Sequence, residues 1–269
     1  MDNASVDFII SNMTFSHSSA TTHNTCNLSF KYGYIDGLPG IGNFYADYGL
    51  FTHDIMEKYF RSNLEMFELG KHYKDNFEKE VTEKAPPYPV GVYDRYKESG
   101  QDFFDKFSFD KDLYDILLVE EKIEATINGI PIVVKPDLII KQKNTDDVIL
   151  VDFKTANAYV KDKPDKKKFA GYMRQMYLYA YVWNLTKEPK INKIMLWFIR
   201  LNKSEEFPYL AGDEAEALQW FTEEVKEIKA DKEWIPNSGN TYFCGQICGH
   251  RMYCPFSPHS SKKPIDKPA

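Results

Sequence analysis

The chain has 269 residues, 43% hydrophobic and 28% charged, with a formal net charge of −6 at neutral pH. That length suffices for one large domain or two small ones with a sizeable core, and the acidic balance excludes a generally basic nucleic-acid coat. No apolar run approaches the roughly 20 residues of a bilayer span, and MDNASVDFII lacks the basic start and long apolar stretch of a secretory signal, so a cytoplasmic protein without membrane contact is expected.

Residues 12–34 are polar at first and then aromatic-rich. From about Tyr48 to Leu69 the apolar residues Ile55, Met56, Tyr59, Phe60, Leu64 and Phe67 recur at helical spacing. The next forty or so residues are charged and contain PPYP, which reads as a loop or a helical insert. The period then changes. YDILLVEEKIEATI, residues 114–127, reads as a strand, and Asn128-Gly129 is a hairpin turn because both positions tolerate positive φ. IPIVVKPDLII gives a second strand and DVILVDFKT a third, separated by a polar turn near QKNTDD. A lysine-rich loop leads into a helix from about Lys167 to Asn184, followed by the strand KIMLWFIR. Asp213 and Glu216 have the spacing of a capping box opening the helix AEALQWFTEEVKEIKA. The Ser/Lys/Pro-rich tail 257–269 is expected to be disordered. This order predicts one α/β domain over residues 1–256, with a helical segment at about 48–112 and a core at about 113–202. Three strands of that core form a meander in a central mixed sheet flanked by helices.

Asp137 falls near the end of the second strand and Asp152 near the end of the third, where a hairpin can bring two carboxylates together. Lys154, two residues on, shares a face with Asp152. Two carboxylates and a lysine at a sheet edge are the parts of metal-assisted phosphodiester hydrolysis. The carboxylates suit Mg²⁺ or Mn²⁺, the ion makes bound water a better nucleophile, and the lysine orients that water or stabilises charge at phosphorus. Glu120, Glu121 and Glu124 can add a ligand, although the solvated face of an edge strand is the preferred reading. His53 stands four residues after Gly49 on the first long helix, with Glu57 one turn later. Gln175 and Tyr179 lie one turn apart on the helix after Lys154 and offer an amide and an aromatic face to phosphate and base. Aromatic packing competes as the reason for Tyr179, since Tyr172, Tyr177 and Tyr181 share its helix. Between Lys135 and Arg174, nine Lys and one Arg face six Asp, a basic zone on an acidic chain.

The four cysteines are Cys26 and a C-x3-C-x5-C run, Cys244, Cys248 and Cys254. In a reducing compartment such a set points to a metal site joining the two ends of the domain. Four thiolates suit either a 4Fe-4S cluster or structural Zn²⁺. One isolated cysteine plus a tight triplet fits the cubane better, because each iron needs only one thiolate.

Taken in order, these segments resemble the RecB-like branch of the PD-(D/E)XK nucleases, especially members with an iron–sulfur cluster, among them CRISPR-adaptation, AddB-type and phage exonucleases. SHSSATTHNTCNLSFKYGYIDGL is similar to the opening segment with its first cluster cysteine, and GLFTHDIMEKY to the G-x-x-x-H helix. KPDLII carries the PD aspartate, VDFKT is the D-x-K strand, QMYLY is the Q-x-x-x-Y motif, and the cysteine run closes the set. The resemblance spans residues 16–256 apart from roughly 70–112. It implies a restriction-endonuclease-like core in which His53, Asp137, Asp152 and the Phe153 carbonyl bind Mg²⁺ or Mn²⁺ and Lys154 is the catalytic lysine. It further implies that Gln175 and Tyr179 contact DNA and that the four cysteines hold a 4Fe-4S cluster. The activity implied is exonuclease action on single-stranded DNA or DNA ends, in recombination, repair or phage replication with partner proteins of those processes, in a bacterial or phage-infected cell. The chain departs from the pattern in its C-x3-C spacing, where C-x2-C is commoner, and in Lys135-Pro136 before Asp137, where many relatives carry a glycine slightly earlier. It contains no G-x-x-x-x-G-K-[ST] loop, so no helicase motor is expected within it. The alternatives are a DNA-binding scaffold of the same fold without catalysis and a zinc-stapled regulatory module.

Overall fold

A computed structural model describes residues 2–160 and 163–259. Its N-terminal segment is helical: α1 (Asn3–Ser11), α2 (His17–Thr25) and α3 (Asn27–Phe30), the last running into a π-helical turn at Lys31–Ile35. Then come α4 (Phe44–Phe60), α5 (Leu69–Glu80) and α6 (Val92–Lys106). The strands β1 (Tyr114–Val119), β2 (Ile123–Ile127), β3 (Ile130–Val134), β4 (Leu138–Gln142) and β5 (Val148–Lys154) follow. Beyond a small hairpin of β6 (Tyr159–Val160) and β7 (Lys163–Pro164) lie α7 (Lys166–Thr186), β8 (Lys193–Phe198), β9 (Lys203–Pro208) and α8 (Ala215–Ala230). A second π-helical turn, Phe243–Ile247, holds Cys244.

The main sheet has the order β1-β4-β5-β8-β9. Every pairing is antiparallel except β5 with β8, which run parallel and are joined by the α7 crossover. Strand β5 is buried on both faces, and its sequence VILVDF is accordingly apolar on both faces for most of its length. Ile149, Val151 and Phe153 pack into a cluster with α4, α5 and α6. Val148 and Leu150 pack on the opposite face with α1, α7 and α8. Asp152 and Lys154 continue that second row, so alternation alone delivers both to the α7 side of the strand's end.

Four local expectations differ from the structure. The three strands read as a meander are five. The hairpin across Asn128 (φ 51°) and Gly129 (φ 78°) forms as expected, but β2 and β3 make a separate two-stranded sheet, and β1 pairs with β4. The residues Lys135, Pro136 and Asp137 interrupt the second strand, because proline has no N–H for the ladder. Asp137 therefore stands at the start of β4, next to Leu138, which pairs with Val151. The first long helix stops at Phe60, and Ser62 takes a left-handed conformation (φ 60°). Its start is fixed by Asn43, whose Oδ1 accepts from the N–H groups of Tyr45 (3.0 Å) and Ala46 (3.1 Å). The capping box at Asp213 does not form. Its Oδ2 accepts from Leu210 N instead (3.0 Å), and Glu216 pairs with Arg174 (3.2 Å). The tail expected to be disordered from residue 257 lies outside the described residues from 260 onward. Ser257 itself is buried, with its hydroxyl donating to the Cys244 carbonyl (3.2 Å). No helix among the described residues is long and apolar enough to cross a membrane.

Candidate nuclease active site

The edge of the sheet where β5 ends and β4 begins lies between α4 and α7, and the chemistry-bearing side chains meet there. Strand β1 stops at Val119, whose carbonyl accepts from Arg61 Nη2 (2.5 Å). Glu120 then adopts φ 51°, a left-handed conformation uncommon for a residue with a Cβ, and its N–H donates to the Asp137 carbonyl (3.0 Å). This reversal turns the Glu120 carboxylate inward. His53 Nδ1, presented by α4, lies 3.7 Å from Glu120 Oε1 and 3.5 Å from Asp137 Oδ2. Asp137 Oδ2 also accepts from the Phe153 N–H (2.7 Å). His53, Glu120 and Asp137 each offer a ligand atom within 4.8 Å of the others, a possible divalent-metal site. Reading Glu120 as a solvated strand residue is therefore corrected. Its signal in the sequence was the acidic triplet before the hairpin, but the backbone reversal that selects Glu120 and leaves Glu121 and Glu124 exposed has no local motif.

Asp152 lies next to this trio but turns toward Lys154, whose Nζ is 2.6 Å from its Oδ2. Asp152 Oδ2 is buried, and Lys154 is the charged partner it faces. Lys154 Nζ also donates to Gln175 Oε1 (2.9 Å) and lies 4.5 Å from the centre of the Tyr172 ring, both on α7. Gln175 thus grips the lysine directly. Tyr179, one turn on, is buried and lines the same cleft as Gln175. Around the site runs a cleft of about 900 Å³ whose walls include His53, Glu120, Lys135, Asp137, Gln175 and Tyr179. Lys135 closes one side with an ion pair to Glu120 (2.5 Å). The basic zone expected between Lys135 and Arg174 contributes these lysines to the site, while Lys161 and Asp162 lie outside the described residues.

The electrostatics follow from crowding acids where water is excluded. Burial pushes the Asp152 carboxyl up, outweighing the Lys154 ammonium beside it, and the charge on Asp137 adds to the rise. For Asp137 burial acts in the same upward direction. The His53 ring, the Phe153 N–H and the Lys154 ammonium prevail and hold it below the usual range. Burial works against charge on His53, yet Asp137, Glu120 and Asp152 raise it well above an ordinary imidazole. Three cationic groups, His53, Lys135 and Lys154, therefore balance acids whose charge a dication could share. The donor set of carboxylate oxygens with one imidazole suits Mg²⁺ or Mn²⁺, and the Asp152 carboxylate, paired with Lys154, is a further oxygen donor at the same edge. A residue the sequence did not single out, His17 at the start of α2, is held neutral with its basicity depressed to about 3, through burial first and then the charges of Lys154 and Arg174.

All four cysteines, Cys26, Cys244, Cys248 and Cys254, are free thiols lining one small cavity with Tyr32, Phe243 and His250. Among the described residues they do not form a set with ligand atoms within 4.8 Å of one another. The two chain ends are also pinned without them. His23 on α2 reaches Glu224 on α8 (2.6 Å) and Asp231 just beyond it (3.3 Å).

A mixed α/β sheet whose edge gathers carboxylates, a histidine and a lysine defines a hydrolase-type site able to hold a divalent cation. The sequence profile of the PD-(D/E)XK nuclease superfamily matches residues 14–255, and the chain belongs to that superfamily. Among solved structures the fold is similar to one from Eubacterium rectale described as a "Putative exonuclease", with 13% identity, a TM-score of 0.54 and coverage of 94% of this chain and 90% of that one. A second solved structure, SSO0001, aligns over 94% of this chain and 92% of its own at 14% identity, with a TM-score of 0.36. No curated protein matches the sequence.

Proposed function

We propose that the chain is a Mg²⁺- or Mn²⁺-dependent exonuclease of the RecB-like branch that hydrolyses single-stranded DNA or DNA ends in recombination, repair or phage replication. The observation that carries this reading is the meeting of Lys154 with Asp152 beside Asp137, His53 and Glu120, the last three of which line one cleft. His53, Glu120, Asp137, Asp152 and the Phe153 carbonyl would hold the cation. Once bound, it supplies Lewis acidity toward the phosphodiester and a more acidic water. Lys154, positioned by Gln175, offers an ammonium N–H to the attacking water or to the developing charge at phosphorus. Gln175 and Tyr179 border the path of the DNA. The superfamily membership and the similarity in fold to a protein described as an exonuclease support the same reading. We place the whole activity in a single domain, residues 1–256, working in the cytoplasm.

The four cysteines would hold a 4Fe-4S cluster that clamps the N-terminal segment to the C-terminal one. Their convergence on one cavity supports this. A Zn²⁺ ion draws its four thiolates closer together than the larger cubane does. Digestion of DNA that requires added Mg²⁺ or Mn²⁺ and stops with EDTA is the expected result. A protein that binds DNA and leaves it intact with every metal would instead be a scaffold of the same fold.

A further inference from the structure

Arg200 lies just past the end of β8, whose Phe198 pairs across the parallel ladder with Lys154. Its guanidinium is 3.6 Å from the centre of the Tyr96 ring, and its Nε is buried without a hydrogen-bond partner. The pairs Lys193–Asp147 and Lys203–Glu205 flank it in sequence, yet no carboxylate among the described residues pairs with Arg200. Tyr96 is enclosed on its other sides by Tyr48 (4.8 Å between ring centres), Phe44 (5.3 Å) and Tyr45 (5.4 Å), so its plane is fixed. Tyr45 in turn shares a hydrogen bond of 2.6 Å with the hydroxyl of Tyr242, which is 45% exposed and sits two residues before Cys244. An aromatic shelf with a stacked, unneutralised arginine is thus assembled from α4, α6, the end of β8 and the cysteine-bearing segment. On the active-site side, the Tyr172 ring carries the Lys154 ammonium and lies 6.4 Å from the ring of Phe198, the ladder partner of Lys154 two residues before Arg200, which places the shelf next to the catalytic lysine.

We propose that Arg200, stacked on Tyr96, together with Tyr45 and Tyr242, forms a subsite for single-stranded DNA beside the catalytic centre, with one phosphate on the guanidinium and a base against the tyrosines. The chemistry matches what a strand needs. Guanidinium is the preferred planar partner of phosphate, stacking on aromatic side chains tolerates any base, and fixing Arg200 on Tyr96 in advance lowers the ordering cost of each contact. The cysteine segment then has a role in substrate binding, because it sets the position of Tyr242.

This inference rests on the nuclease reading, and the test separates the two. Binding of a fluorescent oligothymidine is measured by anisotropy across a salt series in the Lys154→Ala background, for Arg200, Arg200→Ala, Arg200→Lys and Tyr242→Ala. Steady-state cleavage is followed in the otherwise wild-type chain. Arg200→Ala is expected to weaken binding about ten-fold and to reduce the salt slope by about 0.7, the loss of one single-strand phosphate contact. It raises KM more than it lowers kcat. Arg200→Lys keeps the salt slope and loses part of the affinity, and Tyr242→Ala, an exposed position that tests the shelf should Arg200→Ala fold poorly, weakens binding several-fold with an unchanged slope. Wild-type cleavage with unaltered affinity and slope in Arg200→Ala and Tyr242→Ala overturns the subsite and leaves the nuclease standing. Absence of binding in the Lys154→Ala background together with absence of cleavage by the wild type overturns both.

Discussion

Replacing His23 with leucine removes the central member of a buried polar cluster. His23 is 2% exposed, and its two ring nitrogens face Glu224, itself 4% exposed, and Asp231. The side-chain amides of Asn24 and Asn27 donate to the same two carboxylates, at 3.0 and 2.6 Å, so acids and amides would remain while the cation goes. Breaking a buried pair from one side costs about 3–5 kcal/mol. With an unfolding entropy of about 2 cal/mol/K per residue over a chain of this length, each kcal/mol moves Tm by about 2 °C, giving a fall of about 5–10 °C. Burial disfavours the imidazolium, but the hydrogen bonds and charges of Glu224 and Asp231 prevail and raise the His23 pKa above its unfolded value. Folding therefore binds a proton there. The resulting stability is full below about pH 6.5 and is lost as pH rises through the raised folded value. Calorimetric melts of wild type and His23→Leu on either side of that window measure both effects. The gap in Tm is expected to be widest on the acidic side and to narrow toward alkaline pH. A mutant that melts with the wild type at every pH refutes the reasoning, and would mean that these acids are hydrated or neutral in the folded chain.

Two further predictions concern the site and the clamp. Gln175→Leu leaves Lys154 without its amide acceptor; a hydrogen bond to a charged group is worth about 1.5–3 kcal/mol, so kcat should fall by about 10- to 100-fold with KM little changed. Steady-state cleavage checks this, and a rise in KM alone would return Gln175 to a purely DNA-contacting role. Anaerobically purified protein is expected to show the broad absorption of a 4Fe-4S cluster near about 400 nm, lost in Cys26→Ser; zinc by elemental analysis without that band would replace the cluster with a structural ion.

The parts of this molecule that the sequence made legible are those set by strong local chemistry. Asn128-Gly129 made its turn, the all-apolar run before Asp152 became a central strand, and the aromatic-rich segment after Asp165 became α7, started by that aspartate accepting from Lys167 N and Lys168 N. Alternation along β5 then sufficed to put Asp152 and Lys154 on one face. What could not be read depended on tertiary partners. Glu120 enters the site only because its backbone bonds to Asp137, a residue seventeen positions later. Asp213 and Glu216 had the spacing of a cap, but Leu210 and Arg174 claimed them. The N-terminal helices carry weak apolar patterning and are held largely by α8, as the His23 pin illustrates. Strand β9, exposed at alternate positions on the sheet edge, carries KSEEFP, too polar to register as a strand without β8 beside it.

The central claim is that Lys154 and the acids around it cleave DNA. End-labelled single- and double-stranded DNA, incubated with Mg²⁺ or Mn²⁺ and either wild type or Lys154→Ala, tests it most directly. The account predicts digestion by the wild type and a loss of at least about 100-fold in rate for the mutant, the scale of removing one preorganised charge-stabilising donor, with DNA binding retained. Equal cleavage by the two proteins would contradict it.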